Sequence, residues 1–295
     1  MLKINDLTKN IDGKLILRNI NLQIDEGDIL AIVGSNGCGK TTLLSHVMNI
    51  YRPNSGACEY NGIEYNLNTV LKDFYFIQDY VFFPKGKTVL DLFRYDQCFY
   101  ENSNKEILNN LLTEFNFNFK DVPSKMSKGQ KKIIAFILAI ASNAKVLILD
   151  ELIDGLDIVM KKRIWAYLID QTIERNSMVL ISSHDIKELN NVCNRYVLMH
   201  EGKIVKENII ETEKEELTRI QFSIDKEFTG FESEQSQVVS FSQFGSVVNA
   251  FVKGDCTNLK EELSKQYTVG IYEELEVTLE DIMLFGLKEE GYSYE

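Results

Sequence analysis

Gly34-Ser35-Asn36-Gly37-Cys38-Gly39-Lys40-Thr41 is the stretch whose reading decides the fold. The octet fits the pattern G-x-x-x-x-G-K-[ST], and its setting gives the match meaning. Just before it, Ile29-Leu30-Ala31-Ile32-Val33 is an apolar run of strand length. Just after it, Leu43, Leu44, Val47 and Met48 recur at helical spacing. A strand, a glycine-rich loop and a helix in that order gather backbone N–H groups and the positive end of a helix around one point, an arrangement that holds phosphates. Lys40 is expected to reach the outer phosphates of a nucleotide and Thr41 to hold Mg²⁺. Gly34, Ser35, Asn36, Gly37, Cys38, Gly39 and Thr42 are expected to line the cradle. The octet alone does not choose among kinases, GTPases and ATPases.

Outward from the loop, a second apolar strand, Val146-Leu147-Ile148-Leu149, ends in Asp150-Glu151. Asp150 suits the Mg²⁺ shell and Glu151 suits an attacking water, although paired acids at a strand end also occur as solvated turn residues. A third run, Met178-Val179-Leu180-Ile181, follows a helix carrying Ile164, Trp165, Leu168, Ile169 and Ile173. Strands alternating with helices predict an α/β protein with buried parallel strands. Ahead of the apolar helix Ile133–Ala141 stands Met126-Ser127-Lys128-Gly129-Gln130, in which Ser127 is a ready N-cap and the helix tip would attract an anion.

Taken together, the phosphate loop, the Ser127 segment, the acidic strand, Gly155-Leu156-Asp157 and His184 resemble the nucleotide-binding domains of the ABC transporter superfamily. The likeness runs over residues 1 to about 210. It implies a P-loop NTPase of ABC type, with a RecA-like parallel sheet core, an N-terminal antiparallel β part and an inserted helical subdomain at 79–126. By the same likeness Gln78 touches Mg²⁺ and water, Asp157 is the D-loop aspartate, and His184 lies near the γ-phosphate. Ser127, Gly129 and Gln130 meet the ATP of a partner domain. Members of that family bind two ATP molecules between two head-to-tail domains. This chain holds one set of motifs, so the resemblance implies a homodimer or a heterodimer with a similar ATPase subunit, and a separately encoded membrane permease.

Four positions depart from the family pattern, one of them Leu152, which stands where a proline commonly follows the catalytic glutamate and removes no ligand. Ile11 stands where an aromatic residue usually stacks on adenine, and the missing ring-on-ring term implies weaker ATP binding or looser base choice. Lys128 replaces a glycine, either adding positive charge near the partner's nucleotide or pointing to solvent. Cys38, beside a helix N-terminus, is expected to have a lowered pKa or else merely to fill space. The segments around Ser127, Glu151 and Ile181, with Thr278-Leu279-Glu280-Asp281-Ile282, look like bacterial ABC-2 type exporters of drugs, antimicrobial peptides or other amphipathic substrates. A regulatory clamp that dimerises on ATP without transport, and an importer ATPase, are the alternatives.

Composition narrows the rest. The net charge of -12 lies wholly in the tail, because residues 1–210 hold 25 basic and 25 acidic side chains and 211–295 hold 7 and 19. No basic excess exists to displace counterions, so no nucleic-acid partner is expected. Five scattered cysteines without a C-x-x-C pair argue against a disulfide framework and a zinc site. The longest apolar run is far below the roughly 20 residues a spanning helix needs, and no signal-like segment opens the chain. These features predict a cytoplasmic protein, peripheral on the inner face of the cell membrane through its permease. Ten aromatics between Phe74 and Tyr100 suggest that this segment is inserted into the α/β core, and the aromatic-rich face around Tyr80 to Tyr100 is expected to bind the permease. Asn102 or Ser103 is expected to cap the helix after it, and Thr257 and Thr278 two helices in the tail. Residues 211–295, with Ile220, Phe222 and Ile224 alternating, predict a small acidic α+β appendage.

Overall fold

The computed structural model describes residues 1–65, 70, 72–183, 186–190, 192–210, 212, 217–232, 236–254 and 256–283. The chain divides into two compact units, Met1–Glu207 and Asn208–Glu295.

In the first unit, β3 (Ile29–Gly34), β6 (Phe74–Ile77), β7 (Val146–Asp150), β8 (Met178–Ser182), β9 (Arg195–His200) and β10 (Lys203–Ile209) form one sheet in the order β10-β9-β3-β8-β7-β6. The β3–β9, β3–β8, β8–β7 and β7–β6 pairs are parallel. All five residues of β7 and all five of β8 are buried, which explains their unbroken apolar runs in place of alternation. Among the described residues, the helices of eight residues or more are α1 (Lys40–Val47), α2 (Val89–Asp96), α3 (Lys105–Glu114), α4 (Lys128–Ser142) and α5 (Ile158–Arg175).

A second, antiparallel sheet runs β2-β1-β4-β5, from β1 (Leu2–Ile11), β2 (Lys14–Ile24), β4 (Ser55–Tyr60) and β5 (Ile63–Glu64). Its inward residues, Leu2, Ile4, Leu7, Leu17, Ile20, Leu22 and Ile24, join Leu30, Ile32, Leu43, Leu44, Ile148 and Leu180 in a single hydrophobic cluster. Full burial of each such side chain contributes about 1.5–3 kcal/mol. The phosphate loop therefore springs from a strand and enters a helix that both pack into this cluster.

Register places the candidate residues. Ile32 of β3 lies beside Ser182, Ser182 beside Asp150, and Ile77 beside Leu149. The carboxyl ends of β3, β8, β7 and β6 thus present Gly34, Ser182, Asp150-Glu151 and Gln78 along one rim, where open α/β sheets hold their ligands.

Two sequence expectations change here. The aromatic segment is not wholly an insertion, because Phe74, Tyr75 and Phe76 form edge strand β6, and buried Phe74 packs on Tyr60 and Tyr65 at 5.1 and 5.2 Å. The cap of α3 is Asn104, whose Oδ1 accepts from the amides of Glu106 and Ile107. Ser103 and Asn102 are engaged elsewhere: the Ser103 hydroxyl donates to the Tyr100 carbonyl, and the Asn102 carbonyl accepts from the Asn143 side chain.

The second unit is an antiparallel sheet in the order β12-β13-β11-β14, from β11 (Leu217–Ser223), β12 (Ser236–Phe244), β13 (Val247–Gly254) and β14 (Tyr272–Leu275). It closes its own core around Ile220, Phe222, Phe228, Val248, Ala250 and Val252, with Leu259 and Leu263 from the helix Leu259–Ser264. The residue before that helix is Asn258, not Thr257, and it makes no side-chain cap bond. Thr278 does cap, exchanging hydrogen bonds with Asp281.

Candidate functional site

The loop between β3 and α1 has Gly34, Gly37 and Gly39 at φ 151°, 78° and 112°. At Gly34 a Cβ would come within 2.2 Å of the Met199 carbonyl oxygen and 2.8 Å of Cys38 Sγ. That close approach, with an unfavourable φ, requires glycine. Lys40, nearly buried, curls over the loop and donates to the carbonyls of Gly34 (2.7 Å) and Ser35 (3.2 Å), so its ammonium sits over the cradle that its backbone encloses.

Asp150 ties the loop to the acidic strand. Its Oδ2 accepts from the Thr41 hydroxyl at 2.8 Å, and its Oδ1 accepts from the Ser182 hydroxyl. These residues, 109 positions apart in the chain, meet because β7 and β3 flank β8. A hydroxyl and a carboxylate converging on one point are hard oxygen donors of the kind Mg²⁺ takes, so the residues present fit that ion. Among the described residues no cluster of three or more His, Cys, Asp or Glu side chains offers another metal site.

Glu151 follows immediately, half-buried, with φ 52°. Its amide donates to the Ser182 carbonyl at 3.0 Å, and its carbonyl accepts from the Asp154 amide at 3.3 Å. Gln78 is exposed beyond the end of β6 on the same rim. Asp157 is the N-cap of α5, accepting from the amides of Val159 and Met160. Ile11 ends β1 at the hairpin turn Asp12-Gly13, partly exposed. His184 lies outside the described residues.

Ser127 caps α4 in a reciprocal box: its hydroxyl accepts from the Gln130 amide, and the Gln130 Oε1 accepts from the Ser127 amide. The box leaves the amides of Lys128 and Gly129 as the two first-turn donors it does not engage. Gly129 faces Leu156, whose Cδ2 would lie 3.4 Å from an added Cβ. Lys128 is exposed, as one of its two expected orientations has it, and its ammonium also pairs with Asp79 of the same chain at 3.3 Å.

Cys38 overturns an expectation. Its thiol is buried against Gly34, and burial raises its pKa more than the nearby Lys40 lowers it, so the space-filling role prevails.

Two partners of the site were not read from the sequence. Ser182 differs from any strand-end serine only by its register opposite Asp150. Lys132 reads as one more cation on an exposed helix face, yet it is buried and bonded to three segments of the site.

Residues 17–154 match the family model described as ABC transporter. Those residues form an ABC transporter ATPase domain. One relative of this ABC ATPase, the ABC transporter ATP-binding protein YtrB of Bacillus subtilis, is 25% identical over 96% of this chain and 97% of its own length. The spermidine/putrescine import ATP-binding protein PotA of Spiroplasma citri is 30% identical over 69% of this chain and 60% of its own, so the chain spans about 60% of that relative. A solved ATP-binding subunit of an ABC transporter shares the fold at a TM-score of 0.68, with 23% identity over 73% of this chain and 92% of the other. Among the described residues no helix of this ABC ATPase is long and apolar enough to cross a membrane.

Proposed function

We propose that this protein is the ATP-hydrolysing subunit of an exporter, pairing head-to-tail with a second copy or a similar subunit around two ATP molecules and driving a separate membrane permease. The observation that carries the reading is the hydrogen bond from Thr41 to Asp150, which joins a phosphate loop to a strand whose next residue is a carboxylate. Backbone amides of residues 35–41 bind the β- and γ-phosphates, and Lys40 exchanges its contacts with the Gly34 and Ser35 carbonyls for phosphate oxygens. Thr41 and Asp150, with Gln78, would hold Mg²⁺, which neutralises charge on those oxygens. Glu151 takes the proton of the attacking water, and His184 orients the γ-phosphate. Such positioned proton transfer contributes about 10²- to 10⁴-fold in rate. The tip of α4, with Ser127, Gly129 and Gln130, closes on the partner's ATP, and Asp157 stands at the same seam. The permease docks on the aromatic face, where Tyr80, Phe82 and Tyr95 are exposed beside a groove of about 620 Å³ that Phe82, Phe83, Pro84 and Tyr95 line.

Export rests on the likeness of the Ser127, Glu151, Ile181 and Thr278 segments to ABC-2 exporters. Import is the second reading, favoured by the polyamine-import relative, and co-purification of the complex with a substrate-binding protein would support it. The decisive experiment is Glu151→Gln. Nucleotide binding should persist, turnover should fall at least 100-fold, and light scattering should show an ATP-dependent dimer. Hydrolysis near the wild-type rate would refute the assignment.

A further inference from the structure

We propose that Lys132 is a positioning residue for hydrolysis: from the helix that carries the Ser127 tip, its ammonium clamps the main chain of Glu151 and the residue after Gln78 into one arrangement. The inference rests on the reading of Glu151 as general base.

Lys132 lies on α4 and is 1% exposed. A buried ammonium is retained only where its donors are met, and here three donors meet three acceptors: Asp79 Oδ1 at 3.2 Å, the Glu151 carbonyl at 2.5 Å and the Asp154 carbonyl at 3.1 Å. The acceptors come from three segments. Asp79 follows Gln78, Glu151 carries the carboxylate, and Asp154 precedes Gly155-Leu156-Asp157 while accepting from the Ser183 hydroxyl at 3.0 Å. One side chain thus bridges the Gln78 segment, the Glu151 peptide and the Asp154–Asp157 segment.

Glu151 shows why the clamp matters. Its φ of 52° is a conformation that residues other than glycine rarely adopt, and such backbones persist only when their surroundings hold them. Here Ser182 fixes the amide side of Glu151 and Lys132 fixes the carbonyl side. The direction of the Glu151 side chain follows from that pinned peptide. An apolar side chain would fill the same volume without desolvating a charge, so the amine serves the three contacts. Because α4 begins at Ser127, a movement of that helix on a partner's nucleotide passes through Lys132 to the Glu151 peptide and to the Gln78 segment.

The test compares Lys132→Met, Lys132→Arg, Asp79→Asn and Glu151→Gln in the full-length chain. Single-turnover hydrolysis of radiolabelled ATP is measured across ATP concentrations, together with ATP affinity and thermal unfolding. Lys132→Met should lower the hydrolysis rate at saturation more than 10-fold while ATP affinity changes less than about threefold, and Lys132→Arg should recover a substantial part of the rate. Asp79→Asn, which alters a half-exposed carboxylate and keeps the lysine, should lower the rate about threefold at unchanged affinity. A folded Lys132→Met protein with wild-type rate overturns the proposal, as does a loss of affinity equal to the loss of rate. Should Lys132→Met not fold, a wild-type rate in Asp79→Asn overturns the link to the Gln78 segment. Undiminished hydrolysis in Glu151→Gln would instead fault the underlying reading of the base, and is distinguishable for that reason.

Discussion

At the scale of single residues, chemistry here is set less by residue type than by what lies within 3 Å. Cys38 and Cys98 are the same thiol in different solvents. Cys38 is buried with its pKa raised by desolvation, whereas Cys98 is exposed. Only the thiolate attacks an alkylating reagent, so at pH 8 iodoacetamide should modify Cys98 well before Cys38, and mass spectrometry of a time course reads the order directly. Faster labelling of Cys38 would mean that the helix end governs the thiol after all. The same contrast separates Lys128 from Lys132. Both reach Asp79, but exposure leaves the first a weak surface pair, whereas burial makes the second depend on every bond it forms.

Among elements, α2 carries a half-buried acid with a measurable signature. Asp96 accepts a hydrogen bond from the Tyr75 hydroxyl at 3.1 Å, and burial pushes its pKa up to about 7, against which the Tyr75 bond acts weakly. The folded chain therefore holds this proton more tightly than the unfolded chain does. The stability that the protonated acid supplies is complete below about pH 4 and drains away as pH rises to about 7. Asp96→Asn removes that drain. The difference in unfolding temperature between variant and wild type should move in the variant's favour from pH 4 to pH 7 and stay level above it. A difference independent of pH would exclude the shift. Elements are also where the sequence was most and least legible. Strands β3, β7 and β8, helix α1 and the Ser127 cap could be read because apolar runs, glycine spacing and cap chemistry are local. Strand β6 was hidden inside an aromatic-rich stretch, since only its pairing with β7 distinguishes a sheet edge from an insertion. Asn104 lost to Asn102 and Ser103 in the reading because all three are cap-competent, and contacts with Asn143 and Tyr100 decide among them. Ser182 and Lys132 depend on register and burial, which no run of letters displays.

For the whole molecule, two hydrophobic clusters with no residue in common predict two separable foldings. Among the described residues, the buried members of the cluster around Leu30 and Ile148 run from Leu2 to Met199, with partly buried Ile204 packed against them, and those of the cluster around Phe222 run from Ile220 to Tyr267. A chain cut after Glu207 should unfold cooperatively and bind ATP within about threefold of the full-length affinity, as followed by calorimetry and a fluorescent nucleotide. Arg195, hydrogen-bonded to both Asp28 and Glu207, remains whole in that fragment. Failure of the fragment to fold would mean that the second unit supplies part of the first unit's stability.

The boundary at Glu207 and Asn208 also has a consequence for inheritance. Because the cluster around Ile148 and the cluster around Phe222 have no residue in common among the described residues, recombination at that point is expected to exchange one module without rewriting the other, and a tail could be traded between cousins as a cassette of its own. A chimera carrying a foreign tail from position 208 onward would then keep its engine and change only its accessory.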